Sequence, residues 1–181
     1  MQNNKIADHG VYVGRFNPIH LGHEAVIAKM LERFGVKNSL LILGSSTAPF
    51  SQRHFFSYSE RIAFIKTIFP QLEIADLPDF PTDEQWLSEL DKILLAKNFD
   101  PANTVFFGGY EQDLIWFLEA GRQCEILNRF DGTTPIISAT QVRELLASNE
   151  PTENLLNPII NNKVRKIFTK KQIGQNQKNL L

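Results

Sequence analysis

Short apolar stretches alternate with longer amphipathic stretches along most of the chain. The apolar stretches predict β-strands at residues 10–16, 39–45, 72–78, 103–109 and 124–129. The amphipathic stretches predict helices at residues 24–34, 57–69, 84–99 and 111–121. In the first helix the apolar side chains share one face, and these are Val26, Ile27, Met30, Leu31 and Phe34.

The order of these elements predicts the fold class. The stretch SLLILGS at 39–45 is apolar at most positions, which is typical of a parallel strand that is buried on both faces. Strands that alternate with helices form a parallel sheet, and right-handed crossovers leave helices on both of its faces. We therefore predict an α/β fold with a doubly wound parallel sheet that binds its ligand at the carboxyl ends of the strands.

The last quarter of the chain is predicted to be helical. We expect a helix at 137–148, one or two shorter helices at 149–168 and a fraying tail at 169–181. We assign the chemistry to residues 1–150. We interpret residues 151–181 as a helical extension and tail that pack on the same domain.

This extension is rich in basic side chains, namely Lys163, Arg165, Lys166, Lys170, Lys171 and Lys178. A nucleic-acid site would interleave such charges with aromatic stacking platforms, and only Phe168 lies among them. We interpret the charges as a solvated helix face and expect no nucleic-acid partner.

Composition narrows the class of protein further. The 181 residues carry 19 Lys and Arg against 20 Asp and Glu, so any bound anion must be held locally. The lone Cys124 excludes an intramolecular disulfide, and the first ten residues lack the pattern of a signal peptide. No apolar run approaches the roughly 20 residues that a bilayer requires. We expect a cytoplasmic protein with no membrane partner, and the sequence leaves open whether it forms a homo-oligomer.

The segment RFNPIHLGH combines the features of a phosphate site. It places His20 and His23 at the start of a helix, where unpaired N–H groups favour anions. Arg15 adds a positive charge, while Gly14 and Gly22 allow close approach of the backbone. The alternative interpretation is that one histidine caps the helix and the other packs in the core.

Zinc binding and the common glycine-rich phosphate loops fit the histidine pair less well. A zinc site would need further ligands, and His9, His54 and Cys124 do not stand at metal-like spacings. The chain also lacks the dinucleotide fingerprint G-x-G-x-x-G and the P-loop motif. We therefore predict no metal held by the protein and a phosphate site of a different kind.

A second candidate segment, ISATQVR, lies far along the chain. Ser138 precedes Gln141 by three residues, as in a capping box, so a helix is predicted to begin there and to offer its amides to an anion. Arg143 would lie inside that helix. An ordinary capped surface helix has the same pattern.

Several further positions allow two interpretations each. Arg53 and His54 follow the second strand, where they either close over phosphates or are solvated. Trp86 is either a core residue or a stacking platform. Gly108 and Gly109 end the fourth strand, where they would admit an adenine against the backbone.

Taken together, GRFNPIHLGH and ISATQVR resemble the two signature motifs of the nucleotidyltransferase superfamily, H-x-G-H and I-S-x-T-x-x-R. The segments GRF, GSS, FSYSER around Arg61, the Trp of DEQW and GGYEQD are similar to the archaeal-type nicotinamide mononucleotide adenylyltransferases, including bacterial enzymes with an additional Nudix domain. The resemblance runs from about Val11 to about Leu146. Asn17 and Ile19 stand where that group usually has Gln and Phe, and we expect no Nudix domain in this chain.

The resemblance implies a Rossmann-like nucleotidyltransferase fold and a role for each matching residue. His20, His23, Arg15 and Arg143 would act on the ATP phosphates, and Ser138 would help Arg143 hold the β- and γ-phosphates. Nucleotide binding is further assigned to Gly14, Phe16, Gly22, Gly108, Ser138 and Thr140. Substrate binding is assigned to Ser45, Arg53 and Trp86, and Trp86 would stack on the nicotinamide ring of the acceptor. Mg²⁺ is the expected cofactor, bound together with ATP.

The implied reaction is in-line attack of a mononucleotide phosphate on the α-phosphorus of ATP, which gives NAD and pyrophosphate when the acceptor is nicotinamide mononucleotide. The sequence leaves open nicotinate mononucleotide or phosphopantetheine as the acceptor, and CTP as the donor. A non-catalytic nucleotide-binding regulator with the same fold is the third hypothesis. It is disfavoured by the intact set of His20, His23 and Arg143.

Overall fold

The computed structural model describes residues 7–127 and 136–178, which are built around a five-stranded sheet. The strands are β1 (His9–Gly14), β2 (Ser39–Gly44), β3 (Glu73–Leu77), β4 (Thr104–Gly108) and β5 (Gln123–Ile126). Their order across the sheet is β3-β2-β1-β4-β5, and every neighbouring pair is parallel. The chain builds outward from β1 and then returns to its other side, so the predicted doubly wound parallel sheet is confirmed.

Helices connect the strands and cover both faces of the sheet. The described α-helices are α1 (Leu21–Phe34), α2 (Tyr58–Ile68), α3 (Asp83–Ala96), α4 (Ile115–Glu119), α5 (Ala139–Ala147) and α6 (Pro158–Lys178). Short 3₁₀ turns at Val36–Asn38, Pro101–Asn103 and Glu111–Asp113 precede β2, β4 and α4.

Alternate strand residues point to opposite faces, so the core has two parts. On one face Tyr12 and Leu41 pack with side chains of α1, α2, α5 and α6. On the other face Val11 and Leu40 pack with side chains of α3 and α4. All six residues of β2 are buried, as predicted for a strand covered on both faces.

Side-chain caps account for where several helices begin. Ser57, Thr82 and Ser138 each accept a hydrogen bond from the backbone N–H three residues ahead. At Ser57 the cap is reciprocal, because Glu60 accepts from the Ser57 N–H. These caps satisfy N–H groups that have no partner within the helix.

The prediction of one continuous helix at 111–121 is wrong, because the helix is interrupted near its middle. The structure has a 3₁₀ turn, then Leu114 at φ −115° and ψ −5°, and then the short helix α4. Leu114 is buried and lies directly on Gly108, where an added Cβ would come within 2.6 Å of Leu114 Cγ. Packing against β4 therefore outweighs the local helical pattern.

The fraying tail predicted at 169–181 is also wrong as far as residue 178, because α6 continues to that residue as a single helix of 21 residues. The short helices predicted at 149–168 are replaced by a non-helical segment up to residue 157 and the start of α6. Phe168 and Lys171 hold α6 against the loop that precedes α2. Residues 128–129 of the predicted fifth strand and residues 179–181 of the predicted tail lie outside the described residues.

Within residues 7–127 and 136–178, no helix is both long enough and apolar enough to cross a membrane. The longest, α6, is dominated by polar residues.

Candidate active site

A cleft of about 1210 Å³ opens where the strands end. The carboxyl ends of β1 and β2 reach it at Gly14 and Gly44. Two loops continue from these ends, and we name them L1 (residues 15–20) and L2 (residues 45–57). The order of strands reverses beside β1, which is where doubly wound sheets open a crevice for ligands.

Most of the residues predicted to act at the site line this one cleft, although the two motifs are far apart in the sequence. They are Gly14, Arg15, Phe16, His20, His23, Ser45, Arg53, Trp86, Ser138, Thr140 and Arg143. Gly22 is instead buried in the first turn of α1. Gly108 faces Leu114, so packing is the structural reason for this glycine.

The two histidines lie at the N-terminus of α1. His20 is 2% exposed and is the N-cap, since its Nδ1 accepts from the His23 N–H at 3.3 Å. Because Nδ1 accepts, the neutral ring of His20 carries its proton on Nε2. The His23 ring stacks on His20 at 3.6 Å and lies edge-on to Phe16 at 4.9 Å. Capping and packing are thus both observed, and both histidines still line the cleft.

Loop L1 is tied to L2 by the buried side chain of Asn17. Asn17 Nδ2 donates to the Phe56 carbonyl at 3.2 Å, and the Phe56 N–H donates to Asn17 Oδ1 at 3.0 Å. Phe16 has φ 48° and is 1% exposed. In the sequence Asn17 is notable only as a departure from the usual Gln, and its role in joining the loops is visible only in three dimensions.

Arg143 connects α5 to L1. Its Nη1 donates to the Asn17 carbonyl at 2.6 Å, and its Nη2 donates to Thr140 Oγ1 at 3.0 Å. Arg143 is half-buried and lines the cleft. This contact brings the second motif to the first across 126 residues of sequence.

Arg61 is a site residue to which sequence reasoning assigned no role of its own. It is 2% exposed, and its guanidinium donates to the carbonyls of Arg15 at 2.7 Å, Gly44 at 2.9 Å and Ser45 at 3.0 Å. It therefore joins the ends of β1 and β2 beneath the cleft. The available signal was a charged residue on the same face of α2 as Phe64.

The cleft concentrates positive charge in a chain whose formal net charge is −1. Partial burial, and then the neighbouring Arg53, lower the pKa of the Arg15 guanidinium, while Asp79 and Asp113 raise it. Partial burial, and then Arg15, lower the pKa of Arg143. Guanidinium groups stay charged under such shifts, and cations that depress one another's pKa favour an anionic ligand between them.

One end of the cleft is aromatic. Trp86 is half-buried, packs against the core beneath α3 and also lines the cleft. Its ring lies 6.1 Å from that of Trp116 and 6.0 Å from that of Phe117. Trp86 is thus partly a core residue, and its role as a stacking platform stays a prediction. Beside this end, Ser45 Oγ donates to Asp79 Oδ1 at 2.8 Å.

Among the described residues, no group of three His, Cys, Asp or Glu side chains is close enough to hold a metal ion.

Sequence comparison relates the chain to known transferases. The profile of the family described as cytidylyltransferase-like matches residues 11–145. Nicotinamide-nucleotide adenylyltransferase 1 of Sulfolobus acidocaldarius is 26% identical over 142 residues, which cover 77% of this chain and 78% of the relative.

The fold is similar to that of a bifunctional NMN adenylyltransferase/ADP ribose pyrophosphatase from Francisella tularensis. One crystal structure of that enzyme has a TM-score of 0.73 at 19% identity, and another, complexed with AMP and a Mn ion, has 0.69 at 21% identity. Each match covers 91% of this chain and 49% of the other, so this chain spans about half the length of those proteins. At this level of identity the likeness shows the fold.

Proposed function

Since this chain belongs to the cytidylyltransferase-like family, we propose that it transfers the adenylyl group of ATP to nicotinamide mononucleotide, forming NAD and releasing pyrophosphate. The observation that carries the proposal is that His20, His23 and Arg143 line one cleft together with Arg15 and Arg53. The acceptor is supported by the similarity to a nicotinamide-nucleotide adenylyltransferase and by Trp86 at the aromatic end of the cleft.

The proposed reaction needs no nucleophile from the protein. The phosphate of the acceptor attacks the α-phosphorus of ATP, the bond between the α-phosphorus and the bridging oxygen breaks, and pyrophosphate leaves with the electron pair. Such transfers depend on positioning and on neutralising charge on the phosphates. In the proposal, His20 and His23 donate to phosphate oxygens at the N-terminus of α1, while Arg15 and Arg143 neutralise the leaving pyrophosphate. Mg²⁺ bound with ATP supplies further neutralisation of the phosphate oxygens.

The hydrogen bonds around the cleft support this assignment, because they hold in place the loops that carry the donors before substrate binds. Arg61 ties together the backbone of Arg15 and Ser45, and Asn17 ties L1 to L2. Donors that are already oriented lose little free energy to reorganisation during the reaction. A pure binder has no need of donors on a leaving group, which disfavours the regulator.

The test is to incubate the full chain with Mg²⁺, a donor and one acceptor at a time. The donors are ATP and CTP, and the acceptors are nicotinamide mononucleotide, nicotinate mononucleotide and phosphopantetheine. Pyrophosphate is measured by a coupled assay and the product by mass spectrometry. We expect NAD from ATP and nicotinamide mononucleotide, and we expect excess EDTA to stop its formation.

A faster reaction with another donor or acceptor would replace the proposed substrate and keep the reaction type. ATP binding without product from any pair would contradict the proposed enzyme and favour the regulator.

A further inference from the structure

Helix α6 changes character where it reaches the cleft. Its buried stripe is apolar at Ile160, Val164 and Phe168, and the next position of the stripe is Gln172. Phe168, Gln172 and Gln175 all line the cleft. Because these side chains line the cleft, this end of α6 forms part of its wall.

Lys171, on the same part of α6, is directed at L2 rather than at solvent. Its side chain is 25% exposed, and its Nζ donates to the Phe55 carbonyl at 3.1 Å. The ammonium also pairs with the Glu60 carboxylate and lies 5.9 Å from the ring centroids of Phe55 and Phe56. The basic residues of α6 are therefore not all a solvated face. Lys170, the neighbouring residue, is exposed.

The contacts of Lys171 lead into the hydrogen bonds that join the two motifs. Glu60 Oε2, which binds Lys171, also accepts from the Ser57 N–H at 2.8 Å. The preceding residue, Phe56, is bound on both its N–H and its carbonyl by Asn17. Asn17 in turn accepts the hydrogen bond of Arg143.

The outer part of L2 depends on anchors at its two ends. Residues 52–53 are exposed, and Arg53 lies there at the edge of the cleft. One end is held by Arg61 at Ser45. The other end is held by Lys171 at the Phe55 carbonyl and by Phe168, whose ring stacks on Phe55 at 4.1 Å.

We infer that Lys171 is a positioning residue that fixes the 55–57 end of L2 so that Arg53 meets the nucleotide phosphates, which makes the C-terminal helix part of the nucleotide site. The inference rests on the proposed function for the identity of the nucleotide, ATP. Its geometry is independent of which acceptor is used.

The test compares Lys171→Met with Lys170→Met and Lys171→Arg in the full chain. Methionine keeps an unbranched apolar stem and removes the charged donor. We expect Lys171→Met to raise the KM for ATP about tenfold, as for the loss of one charge-assisted hydrogen bond, with a much smaller change in kcat. Lys171→Arg is expected to restore the wild-type KM, and Lys170→Met is expected to match the wild type.

Two measurements keep this test separate from that of the proposed function, because neither needs an acceptor. The dissociation constant of ATP is measured by calorimetry, and amide exchange of the peptide covering L2 is measured by mass spectrometry. If the wild type makes no product but Lys171→Met weakens ATP binding and speeds exchange in L2, the proposed function fails and the positioning role stands.

Equal ATP binding and equal L2 exchange in Lys171→Met and Lys170→Met would overturn the inference. So would a Lys171→Met protein that is less stable overall but shows no change specific to L2 or to the KM for ATP, since that describes a merely structural contact.

Discussion

At the scale of single residues, side chains at the cleft combine a structural contact with a place at the site. His20 caps α1 and lines the cleft. The side chain of Asn17 is hydrogen-bonded to L2, and its backbone carbonyl accepts a hydrogen bond from Arg143. Such double roles mean that one substitution can change folding and ligand binding together. Variants must therefore separate the cap from the imidazole.

The histidine pair allows that separation. We expect His23→Ala to lower kcat by about 10²- to 10³-fold, as for the loss of one preorganised donor, while the His20 cap is kept. His20→Ala should lower kcat by a similar factor. It should also remove the helix cap, which contributes about 1 kcal/mol to the free energy of unfolding. His20→Asn should recover the share of stability due to the cap but not the rate, because asparagine caps helices well and carries no imidazole.

The measurements are pyrophosphate release and urea unfolding for all three variants. Near wild-type turnover in His20→Asn would show that capping, and not an imidazole donor, is what the reaction needs from this position.

At the scale of elements, α1 is joined to the segment that leads into α6. The Leu21 N–H donates to the Leu155 carbonyl at 2.9 Å, and Asn157 Nδ2 donates to Glu24 Oε2 at 2.7 Å. Asn157 also accepts from the Ile159 N–H at the start of α6. The helix that carries the histidines is thus held by the C-terminal extension. Glu24 Oε1 is buried and has no hydrogen-bond partner in the described part of the chain.

The stability of this junction is expected to decrease as the pH rises. Burial raises the pKa of the Glu24 carboxyl above its ordinary value of 4.5, although the hydrogen bond from Asn157 opposes the shift. Between the unfolded and folded pKa values, the folded state therefore binds more protons than the unfolded state. The contribution of Glu24 to the free energy of unfolding is fully present below a pH of about 4.5, and it is lost as the pH rises through the raised pKa of the folded state. Glu24→Gln, which stays neutral, should be more stable than the wild type at pH ~7, and this advantage should shrink as the pH falls.

Urea unfolding across that pH range checks this expectation, and Glu32→Gln is the control because Glu32 is exposed on the same helix. An advantage of Glu24→Gln that grows toward acid pH would contradict it.

At the scale of the whole molecule, the fold concentrates positive charge at one cleft, which the near-neutral composition does not indicate. The formal net charge is −1, yet Arg15, Arg53 and Arg143 converge on the cleft from L1, L2 and α5. The strand order brings these three regions together, since each follows or faces a carboxyl end beside β1. Attraction of ATP, the proposed substrate, would therefore be a local property of one crevice.

This arrangement predicts how salt affects binding. The dissociation constant of ATP should rise several-fold as the Debye length falls from ~10 Å at 0.1 M to ~3 Å at 1 M salt. Adenosine, which has no phosphate, should bind with little salt dependence, and Arg53→Gln should show a smaller slope for ATP than the wild type. Calorimetric titrations at several KCl concentrations measure all three, and equal slopes for ATP and adenosine would contradict the prediction.

The features that sequence pattern predicted correctly are those that local chemistry controls. Strand alternation, the buried β2 and the Ser138 cap depend on residues within a few positions of one another. The parallel sheet and the ligand site at the carboxyl ends of its strands were predicted from general rules of handedness and topology. The two motifs pointed to one site because parallel strands end at a common edge.

Other features depended on contacts between distant segments, which no local pattern records. Leu114 interrupts a helical stretch because it packs on Gly108 of β4. The stretch after Phe168 was predicted to be a tail, but α6 continues through it, and Lys171 within this part binds L2, more than a hundred residues earlier. Arg61 and Asn17 became site residues only when folding placed three carbonyls and the Phe56 backbone within their reach. Hydrophobic periodicity and helix capping act over a few residues, so they determine which helices and strands form. Buried polar groups instead take their hydrogen-bond partners from the segments that the folded chain brings close to them, which are often distant in the sequence.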